Sequence, residues 1–204
     1  MLKHQFAIPL LSILIILTSS CLVAGQVRRQ GVCPDMRGLS NVESEWLNYQ
    51  GRWFMQARYE NDGDNRCQKS DYTLGPNSEH IVRDYEISNA DNSINERIGI
   101  LTFLQDGQFQ IQYDGIDPIN FKVLSVVYNR YLITYSCKNL PEGQYDEDVW
   151  IHTRANNPSQ EVITAYMDAL DLKGISKPDL KYNCHQDCAG YVSPTLHSKR
   201  QRKC

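Results

Sequence analysis

No apolar run in this chain is long enough to cross a membrane as a helix. The longest, Phe6–Leu17, holds 12 residues and is interrupted by Pro9 and Ser12, whereas a spanning helix needs about 20. It follows Lys3 and His4 and precedes Val23-Ala24-Gly25, the order of a secretory signal peptide over residues 1–25. A strong charge of either sign is also missing. The formal charge of −3 becomes −4 when Lys3 leaves with the signal, so there is no general attraction for nucleic acid. Catalytic signatures are absent: there is no Gly-x-Ser-x-Gly, no Walker loop and no His-Glu-x-x-His. Asn157-Pro158-Ser159 fails as a glycan acceptor because of its proline. His80, His152, His185 and His197 are scattered, and surface positions are expected of them. The expectation is a protein that is not an enzyme and holds no metal or resident cofactor.

Cysteine, by contrast, is present in number. Of 7 in the chain, Cys21 falls in the signal, which leaves Cys33, Cys67, Cys137, Cys184, Cys188 and Cys204. An even set behind a signal peptide reads as disulfides and not as a zinc site, although His185 sits between Cys184 and Cys188. Spacing alone does not choose among the pairings.

The chain behind the signal suits one domain of ordinary size over residues 26–190, with a basic tail over 191–204. Residues 26–50 read as irregular, with a small cluster at Trp46, Leu47 and Tyr49. Strand patterns then succeed one another. The first begins at Arg52, with Trp53, Met55, Ala57 and Tyr59 alternating against Phe54, Gln56 and Arg58. Further runs are Gln68–Leu74, Ile81–Ile87, Arg97–Leu104, Phe109–Tyr113, Ile119–Val127, Tyr131–Cys137 and Asp148–Arg154. Phe109, Ile111 and Tyr113 share one face, and Gln108, Gln110 and Gln112 the other. Asp106-Gly107 marks a hairpin. Eight closely spaced strands, each able to pair with its predecessor, predict an up-and-down antiparallel barrel, because closure removes the sheet edges.

After Arg154 the period changes. Val162, Ala165, Tyr166, Ala169 and Leu170 form one apolar stripe of a helix, with Asn157 as expected N-cap, Pro158 opening it and Gly174 ending it. Such a helix covers the outer wall of the barrel. Leu180–Cys184 offers a last short strand. The tail Ser198-Lys199-Arg200-Gln201-Arg202-Lys203 reads as solvated, with anionic membranes or glycans as its alternative contacts.

A small barrel can hold one apolar molecule. Phe109, Ile111 and Tyr113 offer a wall for it, with Met55 on the Trp53 face of the first strand. Tyr131, Ile133 and Tyr135 offer a second wall if that face turns inward. The same residues could instead fill a dry core. Trp53 under Arg154 would make a cation–π contact that closes the floor and does not touch the guest.

These motifs resemble the lipocalin family. Gly51-x-Trp53 is similar to its first conserved region, and Arg154, ahead of the helix, to its third. The second, usually Thr-Asp-Tyr, is only partly kept as Val126-Val127-Tyr128. The strand after it, Tyr131-Leu132-Ile133-Thr134-Tyr135-Ser136-Cys137, again fits the family. Gly31-Val32-Cys33-Pro34 and Asn65-Arg66-Cys67 look like the apolipoprotein D and insect bilin-binding group. That resemblance implies Cys33–Cys137, and Cys67 joined to a cysteine after the helix, Cys188 before Cys184. Cys184 and Cys204 are then left for each other. It also implies a secreted, extracellular carrier of one hydrophobic ligand (a fatty acid, sterol, retinoid or bilin), with roles in lipid handling and protection against oxidative stress. The departure at Val126-Val127 means that receptor use is not implied. The competing expectation is a protein-binding module, a protease inhibitor or matrix partner, whose barrel is filled.

Overall fold

A computed structural model describes residues 26–59, 65–185 and 188. The expected signal peptide, the tail over 191–204, His197 and Cys204 lie outside the described residues.

Ten strands form one antiparallel sheet: β1 (Val27–Gln30), β2 (Gly51–Tyr59), β3 (Asn65–Leu74), β4 (His80–Ser88), β5 (Ile94–Phe103), β6 (Gln108–Tyr113), β7 (Ile119–Val127), β8 (Tyr131–Leu140), β9 (Gln144–Thr153) and β10 (Leu180–Tyr182). Strands β2 to β9 pair in sequence order, and β9 pairs back onto β2 to close an eight-stranded barrel. Closure leaves no barrel edge to pair with another chain. The other two strands are additions: β1 runs beside β9 and β10 beside β2.

The segment expected to be irregular contains β1. Its sequence, Val-Arg-Arg-Gln, has no apolar alternation, so its order comes from tertiary contacts. Arg28 pairs with Asp146 at 2.9 Å, and Arg29 with Glu147 and Asp179, each at 2.6 Å. A one-turn helix, α1 (Trp46–Tyr49), buries Trp46 and Tyr49 across the end of the barrel where β2 begins. The β5–β6 connection is a tight turn with Asp106 at φ 58°. Gly107 next to it has φ +67°, and an added Cβ would lie 1.9 Å from the Leu39 carbonyl oxygen. Only glycine allows the N-terminal segment to pass so close.

Helix α2 (Gln160–Leu172) packs outside, as its stripe requires. Its N-cap is Ser159, not Asn157: the Ser159 hydroxyl accepts the Val162 N–H at 3.4 Å. Asn157 is too far back, because Pro158 stays outside the helix. The sheet therefore has two apolar layers. Inside lie Trp53, Tyr72, Val82, Leu101, Phe109, Ile111, Phe121, Val123 and Leu132. Outside, under the helix, Ala57, Tyr131, Ile133, Tyr135, Val149 and Ile151 meet Tyr166 and Leu170.

Candidate ligand chamber

Strand alternation decides which side chains enter the barrel. On β6, Phe109, Ile111 and Tyr113 point inward and are buried, while the glutamines between them face out. Met55 is paired with His152 and shares its inward face. A bulge between Met55 and Ala57 then shifts the register of β2. Ala57 and Tyr59 turn outward, and Arg58 turns inward opposite Trp150.

Tyr131 and Tyr135 do not line the interior, which corrects the second-wall expectation. Both belong to the outer layer, where Tyr131 meets the Tyr166 ring edge-on at 6.4 Å and Tyr135 donates to Glu147 at 3.0 Å. Leu132 and Thr134 take the inward positions. The helix outside makes both faces of β8 dry, so apolar character alone cannot tell them apart.

The end of the barrel where β2 begins is a closed floor. Arg154 Cζ lies 3.7 Å from the Trp53 ring centre, and the indole N–H donates to the Tyr49 carbonyl at 2.7 Å. Val42, Trp46, Tyr49, Tyr72, Leu101, Phe109, Val123, Leu132 and Thr134 surround a cavity of about 10 Å³, room for no more than about one water. His80 is half-buried against this floor, with its ring 4.9 Å from Trp46 and 4.8 Å from Phe103. His152 is also buried, 5% exposed, and burial pushes its pKa down to about 4, with the Arg58 charge adding to the effect. His185 bonds the Met55 carbonyl through Nε2 at 2.7 Å. Among the described residues no group of side chains is arranged to hold a metal.

Toward the opposite end the inward face changes character. Trp150, Met55, Arg58, Asp84, Glu86 and Ile119 are only partly buried although they face inward, so solvent reaches the barrel interior to their depth. The Trp150 ring lies 4.9 Å from Phe121, which stacks on Phe109 at 5.2 Å. Among these aromatics stand polar groups. Arg58 donates to Asp148 at 3.0 Å and lies 5.7 Å from the Trp150 ring centre. Burial pushes the Asp148 carboxyl well up, against the pull of Arg58. Ser70 and Tyr113 both donate to Asp84, at 2.6 and 2.5 Å, and Gln68 donates to Glu86 at 3.0 Å. Burial and the Asp84 charge raise the Tyr113 phenol well above its ordinary pKa.

The sequence pattern does not single out Arg58, Asp84 or Asp148. The bulge hides Arg58, and the carboxylates read as solubilising groups on strand exteriors. Trp150 is within reach of the pattern, because it shares a strand face with His152.

Two disulfides tie peripheral segments to the barrel. Cys33 is bonded to Cys137 and Cys67 to Cys188, with Cα separations of 5.9 and 5.7 Å. Cys184 is also in a disulfide, and its expected partner Cys204 is outside the described residues.

Comparison with known proteins gives the same architecture. The bilin-binding protein of Pieris brassicae is 27% identical over 175 residues, covering 77% of this chain and 85% of the relative. Apolipoprotein D of Cavia porcellus is 24% identical over 177 residues, covering 82% and 90%. The solved structure of insecticyanin from the tobacco hornworm Manduca sexta superposes with a TM-score of 0.72 at 17% identity, over 81% of this chain and 92% of that one. Residues 50–185 match the model of the lipocalin / cytosolic fatty-acid binding protein family. With the eight-stranded barrel closed by Trp53 and Arg154, the chain belongs to the lipocalin family.

Proposed function

We propose that this chain is a secreted carrier of one small, largely apolar ligand, held in the open half of the barrel. The observation that carries the proposal is the exposure gradient along the inward face. Trp53 and Val82 are 0% and 1% exposed at the floor, while Trp150, Met55 and Ile119 face the same interior and remain partly accessible. A cup of that kind favours an apolar guest by about 25 cal/mol for each Å² taken from water. Two disulfides and the ion-paired β1 hold the walls in place before the ligand arrives, which limits the ordering cost of binding. The names of two relatives, a bilin-binding protein and an apolipoprotein, support a bilin or a lipid as ligand class. The disulfides also support an extracellular setting.

The second reading, a filled barrel that acts on proteins through its surface, has the 10 Å³ floor cavity in its favour. One experiment separates the two. The chain is expressed in a eukaryotic host, weighed by native mass spectrometry, stripped with organic solvent and titrated with retinol, palmitate and biliverdin while tryptophan emission is monitored. Saturable quenching at one ligand per chain supports the carrier. No co-purified mass and no quenching by any of the three leaves the filled barrel.

A further inference from the structure

The polar groups inside the open half have an unequal hydrogen-bond inventory. A carboxylate only accepts, so the hydroxyls that reach Asp84 must give it their protons. Tyr113 spends its one proton on Asp84 Oδ2 at 2.5 Å, and Ser70 spends its own on Asp84 Oδ1 at 2.6 Å. Both hydroxyls therefore present only lone pairs to anything else. Tyr113 can lie across the wall to reach β4 because β5 carries Gly99 at the inward position between them. A Cβ there would come within 2.5 Å of Ile111 and 2.9 Å of the Tyr113 ring. One further inward-facing acceptor has no partner among the described residues: Gln68 Oε1, on a residue 6% exposed. The Gln68 amide N–H₂ is given to Glu86.

The cation at this depth is already engaged. The Arg58 guanidinium is held by Asp148 and lies over Trp150. Arg97 lies 5.2 Å from the Tyr113 ring centre but is exposed at the rim, as is Lys138, where water screens a charge. An anionic or purely accepting ligand group entering this belt would face the lone pairs of Asp84, Glu86, Tyr113 and Ser70. A ligand O–H or N–H would find acceptors waiting.

From this inventory we infer that the chamber selects apolar ligands whose polar end is a hydrogen-bond donor, an alcohol or an N–H, over their carboxylic-acid and carbonyl counterparts. The inference rests on the carrier reading and narrows it to a ligand class. Tyr113 is its specificity-determining residue, as the acceptor, and Gly99 positions it.

Retinol, retinal and retinoic acid share one carbon skeleton and differ only at the polar end, so they isolate the effect. Each is titrated into the stripped, full chain at pH 7.4 with tryptophan quenching as readout. The expected order is retinol tightest, with retinoic acid weaker by roughly tenfold, the size of one hydrogen bond gained against an acceptor left unpaired. Tyr113→Phe keeps the ring and should weaken retinol several-fold while leaving retinoic acid within twofold. Its circular dichroism and melting curve check that the barrel is intact. If Tyr113→Phe does not fold, Ser70→Ala is measured in its place, with the same loss expected for the alcohol alone. Retinoic acid or retinal binding as tightly as retinol overturns the donor inference and leaves the carrier reading standing. Silence toward all three retinoids together with palmitate and biliverdin overturns both.

Discussion

Arg154 and Trp53 are joined by more than a stacked cation. The guanidinium lies 3.7 Å from the indole ring centre and also donates to three backbone carbonyls, those of Tyr128, Arg52 and Asn48, at 2.9, 3.0 and 2.9 Å. One side chain from the end of β9 therefore fastens the β7–β8 turn, the start of β2 and α1. The three carbonyls face a fork of N–H donors that lysine cannot reproduce. Arg154→Ala should lower unfolding stability by about 2–4 kcal/mol, read from urea denaturation, with Arg154→Lys recovering less than half. Ligand affinity should stay within twofold. A variant as stable as the parent would show that the floor is held by apolar packing alone.

Gly51 belongs to the same closure. Its φ is +92°, and a Cβ there would lie 3.3 Å from Arg154 Nη1. Alanine would meet both backbone strain and the guanidinium. Gly51→Ala should cost about 1–3 kcal/mol. In an Arg154→Ala background the cost should shrink, because only the backbone strain remains. Additive losses in the double variant would separate the two residues.

How far the sequence speaks depends on whether water marks one side of a strand. On β6 the three glutamines are turned to solvent, and the inward set Phe109, Ile111 and Tyr113 can be read directly. On β8 all six residues from Tyr131 to Ser136 are buried, because α2 covers the outside. There the pattern carries no sign, and it gives no warning that Tyr131 and Tyr135 belong to the outer wall. The β2 bulge has the same effect on Arg58: one extra residue, Gln56, reverses the faces that simple alternation assigns. Strand β1 is invisible in the pattern because its order comes from Asp146, Glu147 and Asp179, more than a hundred residues away. His152 reads as a surface residue because nothing local distinguishes a buried histidine from an exposed one.

His152 gives the fold a testable pH dependence. Its pKa is about 4 in the barrel and 6.5 unperturbed, so the unfolded chain binds the proton more readily. The corresponding stability is complete above pH 6.5 and is lost as pH falls toward 4, to a total of about 3 kcal/mol. Urea midpoints at about pH 7 and about pH 4.5 should differ more for the parent than for His152→Gln, the excess being about 2–3 kcal/mol. Parallel slopes in parent and variant would mean that His152 is protonated in the native state.

The Cys33–Cys137 bond spans a sequence separation of 104 residues and anchors the N-terminal segment to β8. A bridge over so long a loop contributes about 2–5 kcal/mol, chiefly by restricting the unfolded chain. The Cys33→Ser/Cys137→Ser double variant should lose that much in urea denaturation. Non-reducing peptide mapping of the parent should recover Cys33 with Cys137 and Cys67 with Cys188. Any other partner for Cys33 would displace β1 from its place beside β9.

Inward and outward aromatics should respond differently to the ligand, and this tests the chamber directly. Trp150 faces the open half, touches Phe121 and carries Arg58 over its ring, whereas Tyr131 lies under α2 with its hydroxyl 3.2 Å from Ser125. Trp150→Leu removes ring area from the cup and should weaken retinol about tenfold, the scale of one aromatic contact, monitored by the ligand's own fluorescence since an emitter is lost. Tyr131→Phe removes only an outer hydroxyl and should leave retinol affinity within twofold while lowering stability by about 1 kcal/mol. The reverse pattern, with binding lost in Tyr131→Phe and kept in Trp150→Leu, would place the ligand outside the barrel, between β8 and the helix.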